Sequence, residues 1–455
     1  MSVSAHRRVL PQAPARRGWC PGLTRPMPTG DGLLARVHPP LGILTLAQAR
    51  RVADGARRFG NGHLDLTARA NVQIRGVSEP SRAPLARLLE TAGLGDMRAD
   101  GGPQRLTLTS PLAGRDPTET LDVPALARAI ELAALAVPGL PAKTLVVVEG
   151  RPDTAMPEAD ATVFPRASGG VGIAIAGEQG FHDLASCDDV EAPAAVAALL
   201  RAFAQTGRRR MRDLPPDEFS TLADAVRLEM QGRVPSPVRE RGYGRVSPDG
   251  APFSPFSPSA GIARLAPEHF VIAVDAPFGR CTADALDSLV DLASRLGAKE
   301  IRLSPARGFV LLPREAPEED LAVLANDFIV APDDPRRSVA ACTGAPACAS
   351  GSTPTLTDAA DVAQAFRPFA EGGRSAHVSG CTKGCARPGP ADLTLVGRDG
   401  LYGAIVGGAP GDEPAMHLTI EAVLERLGRA ETIGLAAAFA PDRAMTDSGR
   451  NGSPA

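Results

Sequence analysis

Apolar positions three and four apart recur in two stretches of this 455-residue chain. Leu46, Ala49, Val52, Ala53, Ala56 and Phe59 fall on one face of a helix. Thr45 stands before them as a cap, with Gln48 placed to close a capping box, and Gly60 stops the helix. Leu286, Leu289, Val290, Ala293 and Leu296 give the same stripe behind Thr282, ending at Gly297. A shift of 237 positions (270 − 33) lays residues 33–76 on 270–313 without a gap. Matched pairs include Val37/Val274, Pro40/Pro277, Gly42/Gly279, Asp54/Asp291, Arg58/Arg295 and Leu66/Leu303. Each copy reads strand, turn, helix, strand, strand. Units so small cannot each bury a sheet face alone, so one body of two related halves is expected.

The copies differ in one place. In the first, Arg69, Asn71, Gln73 and Arg75 alternate with Ala70, Val72 and Ile74, which on a strand sends the four polar side chains to one face. A solvated face is the ordinary explanation of such alternation. The second copy, with Arg307 the only charge across 306–312, has lost that face, which favours a ligand-facing surface.

Between the copies the pattern predicts a larger αβ segment. A strand runs from Leu106 into the loop Ser110-Pro-Leu-Ala-Gly114, helices span 123–136 and 194–206, and a loop enters a strand over 139–150. After the second copy come a strand at 393–396 and a helix near 420–427. The expected division is a disordered leader at 1–17, half-domains at 18–85 and 262–330, αβ domains at 100–231 and 331–440, a Pro/Ser/Gly-rich linker at 232–261 and a disordered tail at 441–455.

Composition narrows the function. Aromatic residues make up only 4% of the chain, so the cores must be mainly Ala, Val and Leu. A net charge of -3 argues against a nucleic-acid binder, and means any acidic ligand must be held by local Arg and Lys. No apolar run approaches the roughly 18 residues of a membrane span. Residues 1–17 are basic but lack the apolar middle of an export signal, so a cytoplasmic protein is expected.

The candidate chemistry lies near the C-terminal end. Cys342 and Cys348 are spaced C-x5-C, and Cys381 and Cys385 C-x3-C. Gly344, Ala345, Pro346, Ala347, Ala349, Ser350, Gly380 and Gly384 surround them. Four thiolates on loops of small residues suit a [4Fe-4S] cluster, with room for its core and backbone N–H groups to face its sulfurs. Structural zinc favours tighter pairs, and disulfides are not expected without export. Cys20, Cys187 and Cys281 are scattered and read as packing residues, as His63 and His377 read as satisfied or exposed histidines.

These cysteine spacings behind two copies of a small αβ half-domain resemble the sulfite/nitrite reductase superfamily, over about residues 18–427. Thr67-Ala-Arg-Ala-Asn-Val-Gln73 is similar to that family's T-x-R-x-x-x-Q strand, Ser110-Pro-Leu-Ala-Gly114 with Asp116-Pro117 to its S/N-P-L-A-G-x-D-P loop, and Leu140-Pro-Ala-Lys143 to its L-P-x-K turn. The resemblance implies an α+β fold: two ferredoxin-like half-domains forming a pseudo-symmetric body, plus two reductase-like αβ domains. It implies that Cys342, Cys348, Cys381 and Cys385 bind the cluster.

Within the superfamily, the chain is most similar to the precorrin-oxidising branch of aerobic cobalamin biosynthesis. The stretches 20–23, 25–36, 303–308, 341–348 and 377–390 carry this. That branch implies an iron–sulfur monooxygenase. It oxidises precorrin-3A with dioxygen, placing a hydroxyl on a bridging ring carbon and closing a lactone from a neighbouring acetate. Arg69, Gln73, Arg75, Lys143, Lys383 and Arg387 are the candidates for holding the substrate and its carboxylates. The resemblance also implies a mononuclear iron, whose ligands the sequence does not give, and electrons from NADH through a separate reductase. It raises the question of a role for Cys20.

A sirohaem-dependent nitrite or sulfite reductase is the alternative, and a non-catalytic iron–sulfur protein that binds a tetrapyrrole or carries electrons is the third. Leu145 stands where many sulfite reductases place a second lysine, and Thr109 where an ungapped reading expects an arginine. Reducing a small oxyanion relies on a dense cationic pocket, so these losses weigh against the reductase.

Overall fold

The computed structural model describes residues 7, 19–152, 157–177, 180–230, 240–242, 258–267, 269–314 and 321–441. The expected leader (apart from Arg7), most of the expected linker and the tail beyond Pro441 lie outside the described residues. The chain divides into two compact units, residues 16–334, and residues 335–455 together with 1–15.

In the larger unit the two repeat copies interlock. The first contributes the strands Gly32–Val37, Ile43–Thr45, His63–Leu66 and Val72–Val77 and the helix Leu46–Phe59. The second contributes His269–Asp275, Arg280–Thr282, Glu300–Ser304 and Gly308–Leu311 and the helix Ala283–Arg295. Thr45 and Gln48 form the complete capping box, and Thr282 caps the second helix through the Ala285 N–H. Ile43–Thr45 pairs with Glu300–Ser304, and Arg280–Thr282 pairs with His63–Leu66. Each sheet thus takes its edge strand from the other half, which covers an edge that would otherwise be open. The backbone repeats as well. Leu41 and Phe278, Gly42 and Gly279, and Ala70 and Arg307 all have positive φ. The two helices are bridged by Arg50–Asp291 and Arg57–Asp287, each at 2.6 Å. Such exposed pairs contribute little, so the buried apolar stripes hold the halves together.

A third sheet runs in the order Glu240–Gly242, Gly180–Cys187, Val171–Ala176, Ala161–Pro165, Val146–Val148, Thr107–Thr109. Its alternate residues serve two cores. Leu108, Val147, Ala174, Ala176 and Phe181 join the core of the doubled body. Val146, Val148, Ile173, Ile175 and Leu184 share a core with the helices Val123–Leu135, Ala192–Gln205 and Pro216–Glu229. Burial on both faces explains the unbroken apolar run from Leu145 to Val148. Residues 240–242, expected within a linker, add an edge strand to this sheet.

The alternating polar stretch is the main correction. The chain turns before its strand begins at Val72, with the Ala70 N–H donating to the Thr67 carbonyl at 2.9 Å and Ala70 at φ 50. The Thr67 hydroxyl accepts from the N–H groups of Arg69 and Asn71. Arg69 and Asn71 therefore belong to a turn, and only Gln73 and Arg75 lie on the strand.

The smaller unit is built on the sheet Val339–Ala341, Ala376–Ser379, Ala391–Arg398, Leu401–Gly408, Met416–Leu418. Its first three strands run parallel. The helices Thr355–Ala365 and Ile420–Ile433 pack with it. No helix among the described residues is long and apolar enough to cross a membrane.

Candidate functional site

The four cysteines converge because two parallel strands end side by side. Ala341 pairs with Val378, and the chain leaves both strands in the same direction, carrying Cys342 directly after one and Cys381 two residues after the other. The carboxyl ends of neighbouring parallel strands are a common place for a ligand site. The Cys342 N–H donates to the Val378 carbonyl at 3.3 Å, fixing the first loop to the second strand. Cys348 is drawn back by its N–H to the Gly344 carbonyl at 2.7 Å. Burial pushes the Cys381 thiol up to about 11, the Lys383 N–H counteracts, and the nearby charges of Cys342, Cys348 and Cys385 raise it further. Cys381 thus lies within the field of the other three sulfurs.

The surroundings fit a cluster. The Gly380 N–H donates to Cys342 Sγ at 3.1 Å, the kind of bond that tunes a thiolate ligand. A Cβ on Gly380 would stand 3.2 Å from Gly344 Cα and 3.3 Å from Gly351 Cα, so three glycines form the floor between the loops. The Ser352 hydroxyl is buried there without a hydrogen-bond partner. Among the described residues, no three His, Cys, Asp or Glu side chains are placed to hold a lone metal ion.

Lys383 and Arg387 sit in this cysteine loop, both half-buried. Arg387 donates from Nε to the Pro390 carbonyl at 2.9 Å, committing one edge of its fork. His377 is fully buried in the strand Ala376–Ser379.

The larger unit gathers cations around Arg69. Arg69 Nη2 donates to the Lys143 carbonyl at 2.6 Å, joining the turn at 67–70 to the turn carrying exposed Lys143. Cys20 Sγ donates to the Ala142 carbonyl at 3.0 Å, and the Leu145 N–H to Asp160 Oδ2 at 3.0 Å, so three groups hold the Lys143 turn. Burial lowers the pKa of Arg69, with Arg210 adding to the effect while Asp160 and Cys20 oppose it. Arg36 is likewise lowered by burial and raised by Cys20. Gln73, in the amide orientation that satisfies both groups, accepts from Arg36 Nε at 2.9 Å. Buried Arg105 donates to the carbonyls of Pro39 at 2.9 Å, Ala70 at 3.0 Å and Arg69, and burial brings its pKa down to about 10. His38 is held well below its usual range by burial, then by Arg36 and Arg105.

One expectation changes here. Arg75 does not face a ligand. It is 3% exposed, bonded to Asp31 at 2.7 and 2.9 Å and to Asp65 at 3.0 Å, and Arg280 completes the network on Asp65. Arg105, four residues ahead of Thr109, brings a guanidinium to the Arg69 turn. Arg36, Arg105 and Arg210 were missed by sequence reasoning. Arg105, just ahead of the Ser110 loop, was the one within reach.

Residues 25–92 match the nitrite/sulfite reductase ferredoxin-like half domain. The fold is similar to the Mycobacterium tuberculosis NirA protein, with a TM-score of 0.65 and 22% identity over 88% of this chain and 80% of that one. The chain is 26% identical to an assimilatory ferredoxin-dependent nitrite reductase of Haloferax mediterranei, over 88% of this chain and 78% of that protein. Fold and half-domain define an oxidoreductase of the nitrite/sulfite reductase superfamily. A precorrin-3B synthase of Sinorhizobium sp. is 33% identical over 434 residues, covering 92% of this chain and 89% of that protein. The chain belongs to the precorrin-3B synthase family.

Proposed function

We propose that the chain oxidises precorrin-3A with dioxygen in aerobic cobalamin biosynthesis, giving the ring-carbon hydroxyl and the acetate-derived lactone. A [4Fe-4S] cluster on Cys342, Cys348, Cys381 and Cys385 would supply single electrons, delivered from NADH by a separate reductase. The observation that carries the reading is the concentration of Arg36, Arg69, Arg105 and Arg210 around the Lys143 turn, where Arg210 is paired with Asp160 at 3.0 Å and Glu131 lies in the field of Arg105. Guanidinium groups gathered this closely suit an anion with several carboxylates, and a ring carrying many acetates and propionates is such an anion.

Arg69 contributes a fork whose Nη2 is already anchored on Lys143, so its remaining donors are pre-aimed. Arg105, bonded to three backbone carbonyls, holds the turn and adds its field. Gln73 orients Arg36. Leu145, 4% exposed, is packed in the core, so the second lysine of many sulfite reductases has no counterpart at that position.

The test is anaerobic purification followed by precorrin-3A and isotopically labelled dioxygen with a reducing system. Label entering the product supports the proposal. Ring binding without product would sink it. A sirohaem-dependent nitrite or sulfite reductase is the second reading, favoured by the 26% identity to the Haloferax protein. Stoichiometric sirohaem absorption in the purified protein would establish it instead.

A further inference from the structure

Arg7 belongs to the smaller unit although more than 300 residues separate it from its partners there. Its Nη2 donates to both carboxylate oxygens of Asp358, at 3.1 and 2.9 Å, and its Nη1 to the Gly400 carbonyl at 3.2 Å. Its guanidinium carbon also lies 5.7 Å from the centroid of the Tyr402 ring. Asp358 is 2% exposed and Tyr402 is fully buried, with the Tyr402 hydroxyl donating to Asp358 Oδ2 at 2.6 Å. A buried carboxylate stripped of its cation is strongly destabilising, so this pair has a stake in staying closed.

The pair sits behind the cysteine loops. Asp358 lies on the helix Thr355–Ala365, one turn beyond Thr355. The Thr355 hydroxyl donates to the Cys342 carbonyl at 2.5 Å and stands 3.8 Å from Cys342 Sγ. Whatever holds Asp358 in place therefore holds the residue that positions Cys342.

We infer that Arg7 is a positioning residue, a latch that keeps the helix Thr355–Ala365 seated on the Cys342 loop. The latch stands on its own geometry, and only its consequence for a cluster rests on the function proposed above.

The experiment uses the full chain as wild type, Arg7→Gln, Asp358→Asn and the double variant. The first readout is the rate at which iodoacetamide alkylates Cys342 after iron is removed. Arg7→Gln should raise it about tenfold, corresponding to about 1.4 kcal/mol of lost closure. In the Asp358→Asn background, where no buried charge needs a cation, the same change should do nothing. The second readout is the rate at which a chelator bleaches the visible absorbance, which should follow the same pattern. Equal alkylation rates in wild type and Arg7→Gln, or additive effects in the double variant, would overturn the latch. A wild type without iron–sulfur absorbance would sink the cluster reading and leave the alkylation test of the latch intact.

Discussion

Gly344 is the residue on which the first cysteine loop turns, and Gly344→Ala is the sharpest perturbation of it. Gly344 has φ +62, in the left-handed region. A Cβ there would lie 2.2 Å from Thr355 Oγ1 and 2.6 Å from both the Thr353 carbonyl and the Thr355 N–H. The hydroxyl could rotate away, but the two backbone atoms cannot. An alanine costs about 1 kcal/mol for its backbone conformation and about 1–3 kcal/mol for overpacking, so about 2–4 kcal/mol is expected. Gly373→Ala separates the two effects, since Gly373 has φ +75 with nothing within 4 Å of its Cβ position. It should lose only the backbone contribution of about 1 kcal/mol.

The consequence for the site follows from the bonds of the loop. The Gly344 carbonyl accepts from Cys348, and Ala345 donates to the Thr353 carbonyl at 2.7 Å, so moving Gly344 moves Cys342 and Cys348 apart. Iron and sulfide analysis beside urea unfolding provides the assay. Gly344→Ala should lower the midpoint and leave the protein with little iron, while Gly373→Ala keeps its iron. Full iron and sulfide in Gly344→Ala at a wild-type midpoint would refute the reasoning.

Cys348→Ser should prevent cluster assembly, checked by iron and sulfide content; a full complement would contradict the ligand assignment. Arg69→Ala should weaken precorrin-3A binding by about tenfold while leaving the iron–sulfur spectrum unchanged, because one charge-assisted contact is worth about 1.5–3 kcal/mol at most. Unchanged affinity in a ring titration would return Arg69 to a structural role. Arg75→Met should destabilise the larger unit by about 3 kcal/mol, since Asp31 and Asp65 lose a shared cation, and should alter ring affinity little. Glu119 carries the pH prediction: burial raises its carboxyl from 4.5 to about 7, with Glu149 and Asp116 adding to the rise against the Gly114 N–H. The unfolded chain loses this proton first, so stability should fall as pH rises from about 4.5 to about 7. Discounted for its partial exposure, the change is about 1–2 kcal/mol, and Glu119→Gln should flatten it in urea midpoints measured across that range.

Local signals in the chain were read well where local physics decides. The stripe behind Thr45, its capping box and the 237-residue repeat all survive in the fold, because caps and periodicity are properties of neighbouring residues. The exchange of Ile43–Thr45 and Arg280–Thr282 between halves was not legible, since three-residue strands carry no pattern of their own. Arg69 to Arg75 misled for a related reason. A turn fixed by the Thr67 hydroxyl and a left-handed Ala70 imitates period-two alternation. Arg75 drew attention as a cation but is neutralised by Asp31, 44 residues away in sequence. Arg210 went unnoticed because what makes it interesting, crowding against Arg69, exists only in three dimensions.

The most direct test of the central claim is the absorption spectrum and the iron and sulfide content of anaerobically purified protein. The account predicts about four sulfides and at least about four irons per chain, a broad iron–sulfur absorption bleached by dithionite, and no sirohaem bands. Protein that holds stoichiometric sirohaem, or that folds fully and takes up no iron or sulfide on reconstitution, would contradict it.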